Sequence, residues 1–127
     1  MDTQCICSIR DIYRAIASFE AELEKTVGIN MNEAMLLCVL SEKANLLSGE
    51  IADELGHTRS NASKVIASLE KSACIRRRAC KEDSRCQRFN LTKKGQQLLE
   101  QIHAGCIQLP AELQPLTTGQ TLQHGQE

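Results

Sequence analysis

Residues 48–71, with the sequence SGEIADELGHTRSNASKVIASLEK, contain two short helical patterns separated by a glycine. We expect the first helix to begin at an N-cap, Ser48, and to end at Gly56, because glycine readily adopts the left-handed conformation that closes helices. Thr58 is a favourable N-cap for the second helix. The apolar positions predicted to be buried are Ile51, Ala52 and Leu55 in the first helix and Ala62, Val65, Ile66 and Leu69 in the second. Two short helices joined by a tight turn indicate a helix-turn-helix.

The face of the second helix that lies away from these apolar positions is small, polar and cationic. Such a face suits the major groove of DNA, where short polar side chains reach base edges and cations reach phosphates. The residues that we expect to contact DNA from this helix are Arg59, Ser60, Asn61, Ser63 and Lys64.

A charged turn with the sequence CKEDSRC, residues 80–86, separates two short runs of mixed apolar and polar residues at 74–80 and 86–91. This pattern predicts a β-hairpin, and Thr92 is placed to open the next helix. A hairpin attached to a helix-turn-helix is a wing, whose cationic tip lies against phosphate or reaches a minor groove. Arg78, Asp83 and Arg85 are the wing residues that we expect at DNA.

Charge is strongly segregated along the chain, although the net charge is only −1. Residues 59–94 hold eleven Lys and Arg against three Asp and Glu, an excess of eight positive charges. A basic block within an otherwise acidic chain is typical of a protein that binds a polyanion, with nucleic acid the leading candidate, but a solvated charged face is the simpler interpretation.

Helices are predicted on both sides of this central region. Aromatic residues make up only 2% of the 127 residues, so aliphatic side chains must fill one helical core. Asn30 and Glu33 form a capping-box pattern before a second helix, whose Met35, Leu36, Val39 and Leu40 are expected on one side. Apolar stripes run along a first helix and along residues 98–116, where Pro110 and Pro115 must break or kink the helix. The stripes are Ile9, Ile12, Ile16, Phe19, Leu23 and Val27, and Leu98, Leu99, Ile102, Cys106, Leu109, Leu113 and Leu116.

The region from Ser48 to Gly95 resembles the MarR (multiple antibiotic resistance regulator) family of winged-helix transcription factors. Residues 48–71 resemble the helix-turn-helix of that family, Asp83-Ser84-Arg85 its wing-tip D-x-R motif, and Leu91-Thr92-Lys93-Lys94-Gly95 its LT-x-x-G helix opening. The resemblance implies a homodimer that binds pseudo-palindromic double-stranded DNA and is released by a small molecule or an oxidant. It also implies that the terminal helices form the dimerisation region.

From these patterns we expect a mainly α fold with a small β-hairpin wing, a winged helix-turn-helix flanked by N- and C-terminal dimerisation helices. The chain would be a single domain, 1–127, with a DNA-binding lobe at 30–95 and dimerisation helices at 3–28 and 92–118. The expected function is sequence-specific transcriptional regulation, as a dimeric repressor. The alternative is a winged-helix module for protein contacts without specific DNA binding.

Two positions depart from the family pattern. Ala73-Cys74 stands where the family usually has Gly-Leu, so the second helix of the motif must end without the glycine that favours a left-handed residue. His57 stands where an aliphatic residue is common, and a half-exposed turn histidine is its simplest interpretation.

The seven cysteines raise the one question of chemistry. Cys38 lies within an apolar helix and is expected to be inert core. Cys5 and Cys7, at the start of the first helix, are candidate redox residues because the family that the chain resembles includes members that sense peroxides through a cysteine in the N-terminal helix. Cys80 and Cys86, beside Arg78, Lys81 and Arg85, are candidates because nearby cations favour the reactive thiolate. Oxidation that joins Cys80 to Cys86 would re-aim Arg85 and release DNA. Alternatively, both are small strand residues that flank the tip by chance, since cytosolic disulfides are uncommon.

Other classes of function find little support in the sequence. The chain has no G-x-S-x-G, Gly-rich phosphate loop or H-E-x-x-H motif, so we expect neither catalysis nor a cofactor. No C-x-x-C pair indicates a metal site. Without a signal-peptide pattern or a long apolar window, we expect a cytoplasmic protein that does not contact the membrane.

Overall fold

The computed structural model of the chain describes residues 1–83, 85–104 and 107–117. Ser84 of the predicted wing tip and Cys106 of the predicted C-terminal stripe lie outside these residues. The chain divides into two compact units, residues 29–104, and residues 1–28 with those from 105 onward. The elements in chain order are α1 (Thr3–Thr26), α2 (Met31–Glu42), β1 (Leu46–Leu47), α3 (Ser48–Leu55), α4 (Arg59–Lys71), β2 (Ile75–Ala79), β3 (Gln87–Leu91), α5 (Lys93–His103) and a 3-10 helix (Ala111–Leu113).

The unit formed by residues 29–104 is a winged helix-turn-helix, as predicted. Helices α2, α3 and α4 pack on a three-stranded antiparallel sheet in the order β1-β3-β2. Its core is almost entirely aliphatic, and Phe89 of β3 is the one aromatic side chain among the buried residues of the described chain. The other buried apolar side chains of the unit are Ile29, Leu36, Leu37, Leu40, Ile51, Ala52, Ala62, Val65, Ile66, Leu69, Cys74 and Ile75. The predicted fold class is therefore confirmed for this unit.

Local capping chemistry fixes several helix ends where the sequence predicted them. The Asn30 side chain accepts from the Glu33 backbone at 2.8 Å, and the Glu33 carboxylate accepts from the Asn30 backbone at 2.9 Å. Thr58 and Thr92 accept backbone hydrogen bonds at the starts of α4 and α5, each at 3.1 Å. Gly56 closes α3 with φ of 69°, a left-handed conformation that most side chains disfavour.

The start of α3 was predicted incorrectly. Leu47, not Ser48, is the N-cap, and Ser48 is already helical. The chain enters α3 from β1, which pairs Leu46 with Phe89 and Leu47 with Arg88 of β3. The Glu50 carboxylate then accepts a hydrogen bond from the Leu47 backbone N–H at 2.8 Å, so the cap is supplied from the third residue of the helix.

Cys38 was also placed incorrectly, because it is exposed and not part of the core. The buried residues of α2 are Leu36, Leu37 and Leu40, and Cys38 points to the opposite side of the helix. Neighbouring atoms still desolvate its sulfur, and this effect, followed by the negative charge of Glu42, raises the pKa of the thiol.

The connections around the wing depend on one left-handed residue and on one close backbone contact. Ala73 adopts φ of 65°, so the chain uses the left-handed conformation after α4 without a glycine. Thr92 donates from its backbone N–H to the Cys74 carbonyl at 3.0 Å. A Cβ atom at Gly95 would overlap that same carbonyl oxygen, which explains why the first turn of α5 needs a glycine.

In the other unit, α1 has two unlike faces. Ala15 is buried and shares a small groove with Asp11, Ser18, Pro110 and Glu112. Ile6, Ile9, Tyr13 and Ile16, by contrast, are exposed apolar side chains. The predicted C-terminal helical run is divided, because α5 ends at His103 and the 3-10 helix begins at Ala111. Within the described residues, no helix combines the length and the apolarity required to cross a bilayer.

Candidate nucleic-acid interface

Helix α4 presents its predicted contact residues to solvent. Ala62, Val65, Ile66 and Leu69 anchor one side of the helix in the core. All five predicted contacts on this helix are exposed: Arg59, Ser60, Asn61, Ser63 and Lys64. Because the buried residues of α4 recur along one side, the exposed residues form a continuous polar and cationic face of the kind that enters a major groove.

A cleft of about 660 Å³ runs between the N-terminal part of α4 and the wing. Arg59 and Ser63 border it from the helix, and Arg77 and Arg85 border it from the wing. The fold thus brings the wing-tip arginine to the same cleft as the start of α4, although the two are more than twenty residues apart in sequence.

Asn61 and Lys64 lie towards the other edge of the exposed face of α4. They border a smaller groove towards α2, together with His57, Glu33 and Ser68. The Ser68 hydroxyl donates to the Glu33 carboxylate, which ties α4 to α2. His57 is half-buried, and its Nδ1 atom has no hydrogen-bond partner among the described residues.

Asp83 and Arg85 at the wing tip are hydrogen-bonded to each other. Asp83 accepts from the Arg85 backbone N–H at 2.9 Å and from its guanidinium Nε at 3.5 Å. Even so, 91% of the Arg85 side chain is exposed. Asp83 therefore orients the chain around Arg85 and leaves most of its guanidinium accessible to a phosphate.

Arg78, the third predicted wing contact, is exposed on β2 and lies opposite Arg88 of β3. Arg88 donates to the backbone carbonyl of Asn45 at 2.8 Å, which ties the wing to the loop before β1. Two cations thus stand side by side on the hairpin, an arrangement that a nearby polyanion would stabilise.

Arg77 has a role that the sequence did not indicate. Its guanidinium makes two hydrogen bonds to the carboxylate of Glu70 on α4, both at 2.7 Å, and lies 5.3 Å from the centre of the Phe89 ring. The hydrogen bonds lower the pKa of the Glu70 carboxyl and raise that of Arg77. This clamp joins the last turn of α4 to the wing. Its partners are seven positions apart, across a helix end and a turn, and no sequence pattern links them.

Cys80 and Cys86 are joined by a disulfide at the base of the wing tip, with their Cα atoms 5.3 Å apart. Among the described residues, Cys5, Cys7, Cys38 and Cys74 are free thiols, and Cys5 and Cys7 are exposed on α1. In the part of the chain that the structure describes, His, Cys, Asp and Glu side chains do not gather in threes where they could hold a metal ion.

Residues 27–85, which span α2 to the wing tip, match the sequence model of the MarR family. This part of the chain is therefore of the MarR family type. It is 35% identical over 80 residues to the transcriptional repressor MprA of Escherichia coli (strain K12), a match that covers 61% of this chain and 46% of MprA. The chain spans about half the length of the curated relatives it matches.

Solved MarR-type structures share the fold. A MarR/EmrR family transcriptional regulator from Acinetobacter sp. ADP1 superposes with a TM-score of 0.69 at 26% identity, covering 81% of this chain and 73% of that one. MepR of S. aureus, in a complex with DNA, superposes with a TM-score of 0.62 at 18% identity, covering 92% of this chain and 90% of MepR. At that identity the likeness concerns the fold alone.

Two MarR motifs acquire a physical explanation in this structure. In the D-x-R segment, Asp83 fixes the backbone and Nε of Arg85. In the LT-x-x-G segment, Thr92 caps α5, and Gly95 permits the close approach to the Cys74 carbonyl. The motifs therefore hold the wing and the helix that follows it.

Proposed function

We propose that this chain is a sequence-specific DNA-binding transcriptional regulator that acts as a dimeric repressor on pseudo-palindromic double-stranded DNA. The observation that carries the proposal is the cleft bordered by Arg59 and Ser63 of α4 and by Arg85 of the wing. Major-groove reading by a helix and backbone contact by a wing require these two elements to act on one duplex.

In this mechanism α4 enters the major groove with its exposed face. Ser60, Asn61, Ser63 and Lys64 then lie at base edges or nearby phosphates, and Arg59 lies at the start of the helix. Arg85 reaches the flanking phosphates or minor groove, with Arg78 and Asp83 supporting it. The excess of eight positive charges within residues 59–94 favours the approach to DNA by displacing counterions.

The exposed apolar side chains of α1 support dimerisation, because a contiguous apolar surface in water is covered by a partner in most soluble proteins. A second copy of the chain fits the two-fold symmetry of a pseudo-palindromic site. MprA is named a transcriptional repressor, which favours repression as the mode of action. The proposal also holds that the chain acts in the cytoplasm and that a small ligand or an oxidant relieves repression.

Selection of bound duplexes from a random-sequence pool tests the proposal with the full chain. We expect enrichment of an inverted repeat whose half-sites are centred about one helical turn, roughly 10 base pairs, apart. If no sequence is enriched over the starting pool, the chain is not a sequence-specific regulator, and a winged-helix module for protein contacts becomes the better description.

The selected duplex then allows a test of base reading by Asn61. Asn61→Ala should lower discrimination at one base pair by about 1–3 kcal/mol, because an amide side chain recognises adenine through two hydrogen bonds. Gln96→Ala, which removes an exposed amide from α5, is the matched control and should leave every preference unchanged. Equal weakening on all sequences would instead make Asn61 a phosphate contact.

A further inference from the structure

The base of the wing tip contains two cysteines in a position where a covalent bond controls the loop between them. Ala79 and Gln87 form the last pair of the strand ladder, and the Cys80 N–H donates to the Cys86 carbonyl at 2.8 Å. The disulfide from Cys80 to Cys86 lies directly beyond this ladder. Five residues lie between the two cysteines in sequence. They include the cation Lys81 and also Asp83 and Arg85, which are hydrogen-bonded to each other.

Both sulfur-bearing residues are only half-buried, so small oxidants and reductants have access to them. Cys86 also borders the cleft that contains Arg59 and Arg85. A change in the covalent state of this pair would therefore act beside the arginine on which the wing contact depends. Cys74, the cysteine at the other end of β2, is buried and far less accessible.

We propose that Cys80 and Cys86 are a thiol–disulfide modification site, oxidised by hydroperoxides, whose closed form presents Arg85 to DNA and strengthens binding. The inference rests on the proposed DNA-binding function. It assigns to the wing thiols a response to oxidant that strengthens binding, opposite in direction to the release by an oxidant that the family resemblance implies. Relief of repression then falls to a small ligand or to thiols outside the wing.

The chemistry balances with a hydroperoxide as the oxidant. One cysteine thiolate attacks a peroxide oxygen, the O–O bond breaks, and an alcohol leaves with the proton that the thiol lost. The resulting sulfenic acid is attacked by the second cysteine, the S–S bond forms, and water leaves. The two sulfur atoms lose two electrons, which the O–O bond accepts. A dithiol reductant reverses the step by exchange.

The closed geometry favours stronger binding over release. With the disulfide in place, Asp83 holds Arg85, and the arginine side chain remains exposed instead of folding onto the protein. Opening the bond leaves the tip with more conformations, which must be lost when Arg85 contacts a phosphate. Ordering the tip in advance removes part of this entropy cost. The sequence alone suggested that closure would release DNA, and the arrangement of Arg85 points to the opposite direction.

The first test maps the bond without DNA. The full chain is reduced, treated with cumene hydroperoxide, blocked with a maleimide and digested with trypsin. We expect peptides 79–81 and 86–88 to be joined, with a mass lower by two hydrogen atoms than the sum of the separate peptides. Maleimide on Cys80 and Cys86 after peroxide treatment would overturn the proposal.

The second test measures affinity for a duplex selected as described above, by fluorescence anisotropy in the reduced and oxidised states. The oxidised chain should bind about threefold to tenfold more tightly, the range expected for one side chain ordered in advance. Cys80→Ser with Cys86→Ser should abolish this difference, whereas Cys5→Ser with Cys7→Ser, which keeps the wing pair, should retain it. Arg85→Ala should still form the disulfide and yet lose the redox difference.

The outcomes separate the two proposals. Equal affinity in both states, or weaker binding after oxidation, would overturn the wing switch and leave the DNA-binding function standing. Failure of the pool to yield any bound duplex in either state would refute the regulatory function, and the switch with it.

Discussion

Arg85 is the residue through which the wing would contribute most directly to DNA affinity. Its exposed guanidinium, held by Asp83, is placed to neutralise one phosphate. Arg85→Ala should weaken binding to the selected duplex and reduce the slope of log affinity against log salt by about 0.9, the value for one phosphate contact. Lys25→Ala removes an exposed cation from α1 and should change neither quantity. An unchanged slope for Arg85→Ala would show that the wing does not touch the backbone.

The left-handed conformation of Ala73 lowers the stability of the folded protein. A left-handed conformation costs a non-glycine residue about 1–2 kcal/mol, and the greater freedom of glycine in the unfolded chain offsets about 0.4–1 kcal/mol of that. We therefore expect Ala73→Gly to raise the free energy of unfolding by roughly 0.5–1 kcal/mol in urea titrations.

The control for this measurement is Ala67→Gly, at an exposed position within α4. There the same change should lower the free energy of unfolding by about 1 kcal/mol, because Ala67 has ordinary helical geometry. If both variants were destabilised alike, strain at Ala73 would not be significant.

At the scale of elements, the helices could be predicted from sequence to the extent that their signals are local. Capping at Asn30, Thr58 and Thr92 involves side chains within three residues of their partners, so the sequence itself contains the interaction. Strand β1 could not be predicted, because two leucines become a strand only when β3 lies beside them. The wrong N-cap at Ser48 follows from missing that strand.

The candidate interface, too, could be predicted from the sequence only where its signals are local. Periodicity identified the exposed face of α4, because burial of Ala62, Val65, Ile66 and Leu69 determines which residues face water. The contacts of Arg77 depend on how the wing folds against α4, which no local pattern encodes. Cys38 was misplaced because an apolar sequence around a residue does not specify which side of the helix is buried.

The clamp between Glu70 and Arg77 couples two elements and should be sensitive to pH. Its hydrogen bonds lower the pKa of Glu70 in the folded state, so the stabilisation is present above the ordinary glutamate pKa, about 4.3, and is lost as pH falls through the folded value. Glu70→Gln should lower the free energy of unfolding by up to about 1 kcal/mol at pH 7, since Arg77 is half-exposed.

This deficit should shrink as the pH of the urea titrations is lowered below about 4.3, because the parent then loses the same carboxylate. Glu100→Gln, an exposed position on α5, supplies the control and should show no deficit at either pH. A Glu70→Gln deficit that persists undiminished in acid would mean that packing, not the ion pair, joins α4 to the wing.

On the scale of the whole molecule, the excess of positive charge lies in one unit and the exposed apolar side chains of α1 lie in the other. Residues 29–104 contain twelve Lys and Arg against nine Asp and Glu, whereas the rest of the chain contains three against seven. The basic unit has the helix-turn-helix and the wing, and the acidic one has the exposed apolar side chains of α1. This separation favours contact with DNA through one unit and self-association through the other.

The exposed apolar face of α1 predicts that the chain forms a dimer. Ile6, Ile9 and Tyr13 lie on one face of α1, and Tyr13 is 75% exposed in the single chain. We expect sedimentation to show a dimer at micromolar concentration. Ile9→Glu should raise the dissociation constant about tenfold or more, because it would place an unpaired charge in the apolar interface. Ser8→Glu introduces the same charge outside the apolar face and should leave the constant nearly unchanged. A parent chain that sediments as a monomer and still binds an inverted repeat tightly would contradict the prediction.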